Sequence, residues 1–190
     1  MGSGKTTVLL ELIKYISKSL PDDCGTKAAI IENEIGEISV DGAAVAMHGL
    51  TVRNISNGCI CCTLSSDLVS GVVDIRNKIN PKWLIIEATG LALPEKISKQ
   101  IADYVSDAAL MTVVIVDAKR FDEFYDILRP LVTGQLAGAQ KILLNKAELV
   151  TDPALAGTVG LLEELNPAAE IMPISAAEGI EEDVFRRIFG

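Results

Sequence analysis

The chain has 190 residues, 49% of them hydrophobic, enough to bury a core in one domain. Its 17 Lys and Arg against 26 Asp and Glu leave a net charge of -9, with no basic cluster to neutralise phosphates along a groove, which argues against a nucleic-acid surface. No apolar stretch reaches 18 residues and the start lacks the basic-then-apolar order of a signal peptide, so no membrane span is expected and the cytoplasm, where thiols stay reduced, is the expected location.

Apolar strand-like runs alternate with helical patterns for nearly the full length. This is the signature of stacked βαβ units: an α/β fold with a mostly parallel sheet and helices on both faces. After a glycine-rich opening, residues 7–20 carry Val8, Leu9, Leu12, Ile13 and Ile16 on one helical face, and Pro21 ends the pattern. Residues 28–32 read as a buried strand. Residues 33–50 are rich in Glu, Gly and Asp without a steady period, and 51–56 alternate like a short, more exposed strand. Further on, the pattern predicts a helix over 65–79, a buried strand over 83–86 and another over 110–116. A longer helical region, 121–137, is interrupted by Pro130 and Gly134. A strand over 141–144, a helix over 153–165, a strand over 170–174 and a helix over 181–188 complete the series. No repeat or linker divides it, and a single domain over residues 1–190 is expected.

The opening Gly2-Ser3-Gly4-Lys5-Thr6-Thr7, followed at once by a helix, looks like the end of a phosphate-binding P-loop. Glycines let backbone N-H groups curl around phosphate oxygens, Lys5 brings positive charge to the β and γ phosphates, and the Thr6 hydroxyl ligates Mg(II). The full motif also needs an upstream glycine and a preceding strand. The expectation is therefore that a first strand of roughly six to eight residues is missing before Met1; the competing reading is a chain that begins here and binds nucleotide weakly, and the bland reading of the motif is a flexible tail ahead of a helix.

Three of the four cysteines, Cys59, Cys61 and Cys62, fall within Asn57-Gly58-Cys59-Ile60-Cys61-Cys62-Thr63. Thiolates are soft, strong ligands for Zn(II) and similar ions, and a tight turn aims several sulfurs at one point. The same spacing also suits a redox pair or an incidental cluster. His48, the only histidine, is either a fourth ligand or a surface residue, and Cys24 reads as a loop or buried thiol.

Six segments fall into one order: Gly-Ser-Gly-Lys-Thr-Thr (2–7), Glu-Asn-Glu-Ile-Gly-Glu (32–37), Gly-Cys-Ile-Cys-Cys (58–62), Glu-Ala-Thr-Gly-Leu-Ala (87–92), Val-Asp-Ala (116–118) and Asn-Lys-Ala-Glu-Leu-Val (145–150). Together they resemble the CobW-type P-loop GTPases of the cobalamin-synthesis protein family, which includes proposed metal chaperones and insertases. The resemblance spans essentially the whole chain. It implies that the phosphates and Mg(II) are held by Lys5 and Thr6 and that the metal site is Cys59, Cys61 and Cys62. It also implies that Glu87 and Gly90 form a Walker B-like element near the γ phosphate, and that Asn145, Lys146 and Glu148 read the base. The resemblance further implies that residues 32–37 are a switch between nucleotide and metal.

The chemistry of these residues agrees. A carboxylate on Glu87, at the end of a buried strand, emerges at the carboxyl edge of the sheet, where open α/β sheets bind ligands; an ordinary polar strand end is the bland reading. Gly90 can bring its N-H to the γ phosphate, or be a plain turn glycine. Glu148 can accept from guanine N1 and N2, a pattern adenine lacks, although the family has Asp there, roughly 1.5 Å shorter in reach. Ala176 can offer its N-H to the base or belong to a helix cap, and Asp117 reads as structural. Glu34 and Glu37 are candidate metal ligands or solvated loop acids.

The function these features imply is a slowly hydrolysing GTPase acting as metal chaperone or insertase. It would use GTP/GDP, Mg(II), and Zn(II) or Co(II), and deliver to a client metalloprotein or cofactor-assembly enzyme. A second copy of the chain is an admissible partner; nucleic acid and membrane are not expected. The alternatives are a nucleotide-regulated metal sensor or scaffold without turnover, and a small P-loop kinase with structural cysteines. The further carboxyl-terminal domain of many family members is not expected within these 190 residues.

Overall fold

In a computed structural model of the protein, the described residues are 2–21, 26–32, 51–54, 66–88, 90–105 and 107–189. They divide into two compact units. Every strand pairing among them is parallel, as the unbroken apolar runs lead one to expect.

One unit comprises residues 12–92 and 99–108. It holds most of helix α1 (Lys5–Ser19), strands β1 (Ala28–Glu32) and β2 (Thr51–Asn54), helix α2 (Ser66–Lys78), strand β3 (Trp83–Glu87) and the end of helix α3 (Pro94–Tyr104). The sheet order is β2-β1-β3, with Ala29 opposite Thr51 and Leu84. The central strand is buried throughout Ala28 to Ile31, because neither face of an interior parallel strand meets water. Against water, Ile13 and Ile16 of α1 and Leu68, Val72 and Ile75 of α2 are closed off at three- and four-residue spacings, one stripe per helix. Helix α2 ends on Asn80, whose left-handed backbone (φ 47°) directs its N-H to the Ile75 carbonyl at 3.0 Å, and Pro81 follows. The buried Lys27 ammonium donates to the Ser17 carbonyl at 2.8 Å, placing a cation at the negative end of α1.

The other unit comprises residues 1–11, 93–98 and 109–190. Its strands β4 (Val113–Asp117), β5 (Lys141–Asn145) and β6 (Glu170–Ile174) pair in that order. Between and after them come α4 (Phe121–Leu136), a 3-10 turn (Ala147–Leu149), α5 (Asp152–Leu165) and α6 (Glu182–Phe189). Ile142, Leu143 and Leu144 of the central strand are wholly buried. Ile142 and Leu144 share one core cluster with Val116, Phe121, Leu136 and Leu162, so α4 and α5 cover that face of the sheet. At the amino end of the strands, Glu170 pairs with Lys141 and with Arg187 of α6.

The structure departs from the sequence expectations in three places. Helix α3 had no counterpart, although Ile97, Ile101 and Val105 are buried at four-residue spacing after Pro94. Strand β4 starts at Val113 rather than residue 110. The Gln140 side chain takes the Thr112 N-H at 2.6 Å and donates to the Leu110 carbonyl at 3.2 Å, so of Thr112 only the carbonyl meets the β5 backbone, at Gln140 and Lys141. Helix α4 is interrupted, as expected near Pro130, by a kink at Leu128 (φ -123°, ψ 32°), two residues before the proline, which offers no N-H to the turn behind it, but it runs on through Gly134. A Cβ on Gly134 would sit 3.1 Å from Leu93 Cδ2, so that glycine permits a close contact rather than a break. Among the described residues no helix is long and apolar enough to cross a membrane.

Candidate functional site

Gly2 and Gly4 both adopt left-handed backbone, with φ of 83° and 89°. Alternating such residues turns successive N-H groups inward. Helix α1 starts directly at Lys5, its first bond running from the Val8 N-H to the Gly4 carbonyl at 2.9 Å. Val8 and Leu9 are buried and anchor the first turn, while Lys5 and Thr6 are half-buried and Thr7 is exposed. No acidic residue lies in that turn, so the helix carries no carboxylate of its own against its positive end.

The residue that fixes this loop comes from β5. Asn145 ends the strand, in register with Asp117 of β4 and Ile174 of β6, and is 3% exposed. Its Nδ2 donates to the Ser3 carbonyl at 2.8 Å and its Oδ1 accepts the Ala176 N-H at 2.9 Å. One side chain thus joins the glycine loop, the end of β5 and the segment after β6. Gly4 must be glycine for this to happen, since a Cβ there would lie 2.3 Å from Asn145 Nδ2.

Lys146 follows with left-handed backbone (φ 66°), and its ammonium meets Asp117 Oδ2 at 2.6 Å. The other Asp117 oxygen accepts the Lys119 N-H at 3.0 Å. Glu148 is exposed on the 3-10 turn that Lys146 opens. The loops at the carboxyl ends of β4, β5 and β6 are therefore tied to one another and to the start of α1. In an open parallel sheet that edge is where ligands bind.

The sequence candidates Gly2, Ser3, Gly4, Lys5, Thr6, Thr7, Asn145, Lys146, Glu148 and Ala176 all belong to this unit. Ala176 takes part differently from expected: its N-H goes to Asn145 rather than toward a base, and it caps no helix, because α6 begins six residues later. Glu87 and Gly90 belong to the other unit. Glu87 ends β3 in register with Glu32 of β1 and is half-buried, and Gly90 is an exposed turn residue. Cys59, Cys61, Cys62 and Glu37 lie outside the described residues, as do His48, Cys24, Glu34 and Thr89. Sequence reasoning did not foresee that Asp117 holds Lys146, nor that the Ser3 carbonyl meets Asn145. The available signal was that β4 and β5 both end in a polar residue after an apolar run.

A family model described as CobW/HypB/UreG, nucleotide-binding domain, matches residues 1–173. The zinc chaperone YjiA of Escherichia coli (strain K12) is 31% identical over 161 residues, 78% of this chain and 47% of that protein. Zinc-regulated GTPase metalloprotein activator 1 of Dictyostelium discoideum is 27% identical over 212 residues, 90% of this chain and 43% of that protein. The chain thus spans about half the length of the curated relatives it matches. Among solved structures, Zn(II)-bound YjiA GTPase from E. coli aligns with a TM-score of 0.62 at 27% identity, over 90% of this chain and 54% of that one. The hydrogenase maturation factor HypB from Archaeoglobus fulgidus aligns with a TM-score of 0.66 at 22% identity, over 100% of this chain and 86% of that one, a likeness of fold.

Proposed function

The chain belongs to the CobW/HypB/UreG family, and on that premise we propose that it binds GTP, hydrolyses it slowly, and couples the nucleotide state to the handling of a transition metal, as a metal chaperone or insertase does. The observation that carries the nucleotide half is the Asn145 clasp on Ser3 and Ala176, which sets the glycine loop beside the segment 145–148. In this reading the N-H groups of Gly2, Ser3, Gly4, Lys5, Thr6 and Thr7 surround the phosphates. Lys5 neutralises the β and γ oxygens and helps the leaving phosphate accept charge. Glu148 accepts from guanine N1 and N2, and Lys146 flanks the base.

The residues present suit Mg(II). The Thr6 hydroxyl is a hard oxygen donor in the first turn of α1, and the Glu87 carboxylate, taken by itself at the end of β3, is likewise a hard donor of the kind this ion takes. When bound, the ion draws charge from the phosphate oxygens.

The cargo metal, Zn(II) or Co(II), is assigned to the thiolates of Cys59, Cys61 and Cys62, with Glu37 as an oxygen ligand. The printed names of the relatives, a zinc chaperone and a zinc-regulated GTPase metalloprotein activator, support zinc first. The recipient is a client metalloprotein or cofactor-assembly enzyme in the cytoplasm. Residues 33–62 connect the two halves along the chain and are the segment through which nucleotide and metal affect one another.

Coupling of this kind is reciprocal in free energy, so GTP tightens the metal and the metal tightens GTP by one factor. The test is the Zn(II) dissociation constant, measured by competition with a chromophoric chelator, in the presence of GTP and of GDP. At least about fivefold tighter binding with GTP is expected. Equal constants refute the coupling.

A further inference from the structure

We infer that Asp117 is a positioning residue of the base subsite: it holds Lys146 and the turn that carries Glu148, and so sets how sharply the site selects guanine. The inference rests on the reading of residues 145–148 as the base-reading segment.

Asp117 terminates β4 directly opposite Asn145, and its side chain is only 6% exposed. Its two oxygens have separate tasks. Oδ1 accepts the Lys119 N-H and shapes its own loop, while Oδ2 accepts the Lys146 ammonium at 2.6 Å. A hydrogen bond between opposite charges, with one partner out of water, is far firmer than its exposed equivalent. The Ala118 N-H donates to the Asn145 carbonyl at 2.8 Å, so the two loops also touch through their backbones.

What the ion pair controls follows from the Lys146 backbone. A lysine at φ 66° is in a conformation that L side chains rarely adopt, and it persists only where its surroundings hold it. The Lys146 carbonyl accepts the Leu149 N-H at 3.0 Å, so this residue opens the 3-10 turn on which Glu148 stands. Tethering the ammonium to Asp117 fixes the side chain on one end and steadies the turn on the other. Held in this way, Lys146 keeps the turn that carries Glu148 in one conformation.

The same strand provides an internal comparison. Lys141, at the start of β5, is also ion-paired, to Glu170, but at the amino edge of the sheet, where no base-reading residue lies. That pair stands at the opposite end of β5 from residues 145–148.

Selectivity separates the two roles. Guanine presents N1-H and a 2-amino group, whereas hypoxanthine lacks the amino group. A fixed Glu148 gains from both donors, but one on a loosened turn gains little from the second. The experiment measures equilibrium binding of GTP, ITP, ATP and inorganic pyrophosphate to the full 190-residue chain and its variants. The Asp117→Asn variant keeps an acceptor for the Lys119 N-H but loses the charge that holds Lys146. It is expected to weaken GTP about tenfold and ITP about threefold, leaving pyrophosphate unchanged. Lys146→Met should narrow the GTP:ITP ratio similarly, and the double variant should be no worse than the weaker single one. Glu170→Gln should leave the ratio as it is.

Lys146 is 29% exposed, so Lys146→Met alters the more accessible partner of the pair and decides the question if Asp117→Asn fails to fold. A selective wild type whose Asp117→Asn or Lys146→Met variant keeps its GTP:ITP ratio overturns the inference alone. So does a loss of pyrophosphate binding in step with GTP, which marks general damage. A wild type that binds GTP, ITP and ATP equally overturns the base-reading assignment, and the inference with it.

Discussion

Replacing Gly4 with alanine tests the link between the phosphate loop and β5 most directly. The new Cβ would sit 2.3 Å from Asn145 Nδ2, and the amide cannot retreat without releasing Ser3 or Ala176. Two costs follow. Alanine at φ 89° costs about 1–2 kcal/mol in backbone energy. Losing two hydrogen bonds at a buried site costs about 2–3 kcal/mol more. The expected destabilisation is therefore about 3–5 kcal/mol, a large share of the roughly 5–15 kcal/mol that holds a domain together. Asn145→Ala alone removes the same two bonds and should cost about 2–3 kcal/mol. In that background nothing remains for the Gly4 Cβ to strike, so adding Gly4→Ala costs only the backbone part, about 1–2 kcal/mol. The double variant should thus be no less stable than Gly4→Ala alone, a coupling of about 2–3 kcal/mol. Urea unfolding followed by far-ultraviolet circular dichroism measures all four corners of the cycle, with a constant m-value as the control. Additivity within about 0.5 kcal/mol would refute the claim that Gly4 is bare in order to seat Asn145.

Two further outcomes are expected. Glu148→Asp shortens the reach of the carboxylate proposed to read the base by roughly 1.5 Å, to the aspartate of the motif it resembles, and should sharpen the preference for GTP over ITP by about threefold in competition binding. Lys141, and then Arg187, hold the Glu170 carboxyl below its ordinary value of 4.5, so the stability it contributes is fully present above that value and lost as pH falls through the lowered one. The gap in melting temperature between wild type and Glu170→Gln should accordingly be widest near neutral pH and close in acid; a gap independent of pH would contradict the ion-pair account. Added salt should shrink it, because the pair is partly exposed.

The sheet was legible in the sequence because interior parallel strands must be apolar on both faces. The runs at 28–32 and 170–174 coincide with β1 and β6. Helix α3 was not, since Pro94, Glu95, Lys96, Ser98, Lys99 and Gln100 dominate its first turns and leave the stripe to Ile97, Ile101 and Val105. The start of β4 was misplaced for a different reason: a side chain 28 residues away, Gln140, replaces the ladder partner of Thr112. Within the site, local spacing singled out Lys5 and Thr6, which stand at a helix start beside a glycine, whereas Asn145 stood out through the resemblance of the Asn-Lys-Ala-Glu run. Contacts across 142 residues, such as that of Asn145 with Ser3, exist only once the sheet has aligned its strand ends, and no local pattern encodes them. Asp117 was hidden the same way, since a strand-terminal aspartate looks identical whether it faces water or a lysine.

The overall charge of -9 explains why geometry carries so much of this site. An acidic chain does not draw a nucleoside triphosphate from a distance, and beyond a Debye length of about 8–10 Å its charges are screened in any case. In the proposed site, affinity for phosphate must therefore come from donors that act at contact: left-handed glycines turning their amides inward, the amino end of α1, and Lys5. Donors of that kind lose their value when displaced by a fraction of an ångström. Asn145 supplies the constraint, for its two hydrogen bonds fix the loop to a strand whose preceding three residues are wholly buried. The core of the sheet and the grip on phosphate are in this sense one structure, joined at a single amide.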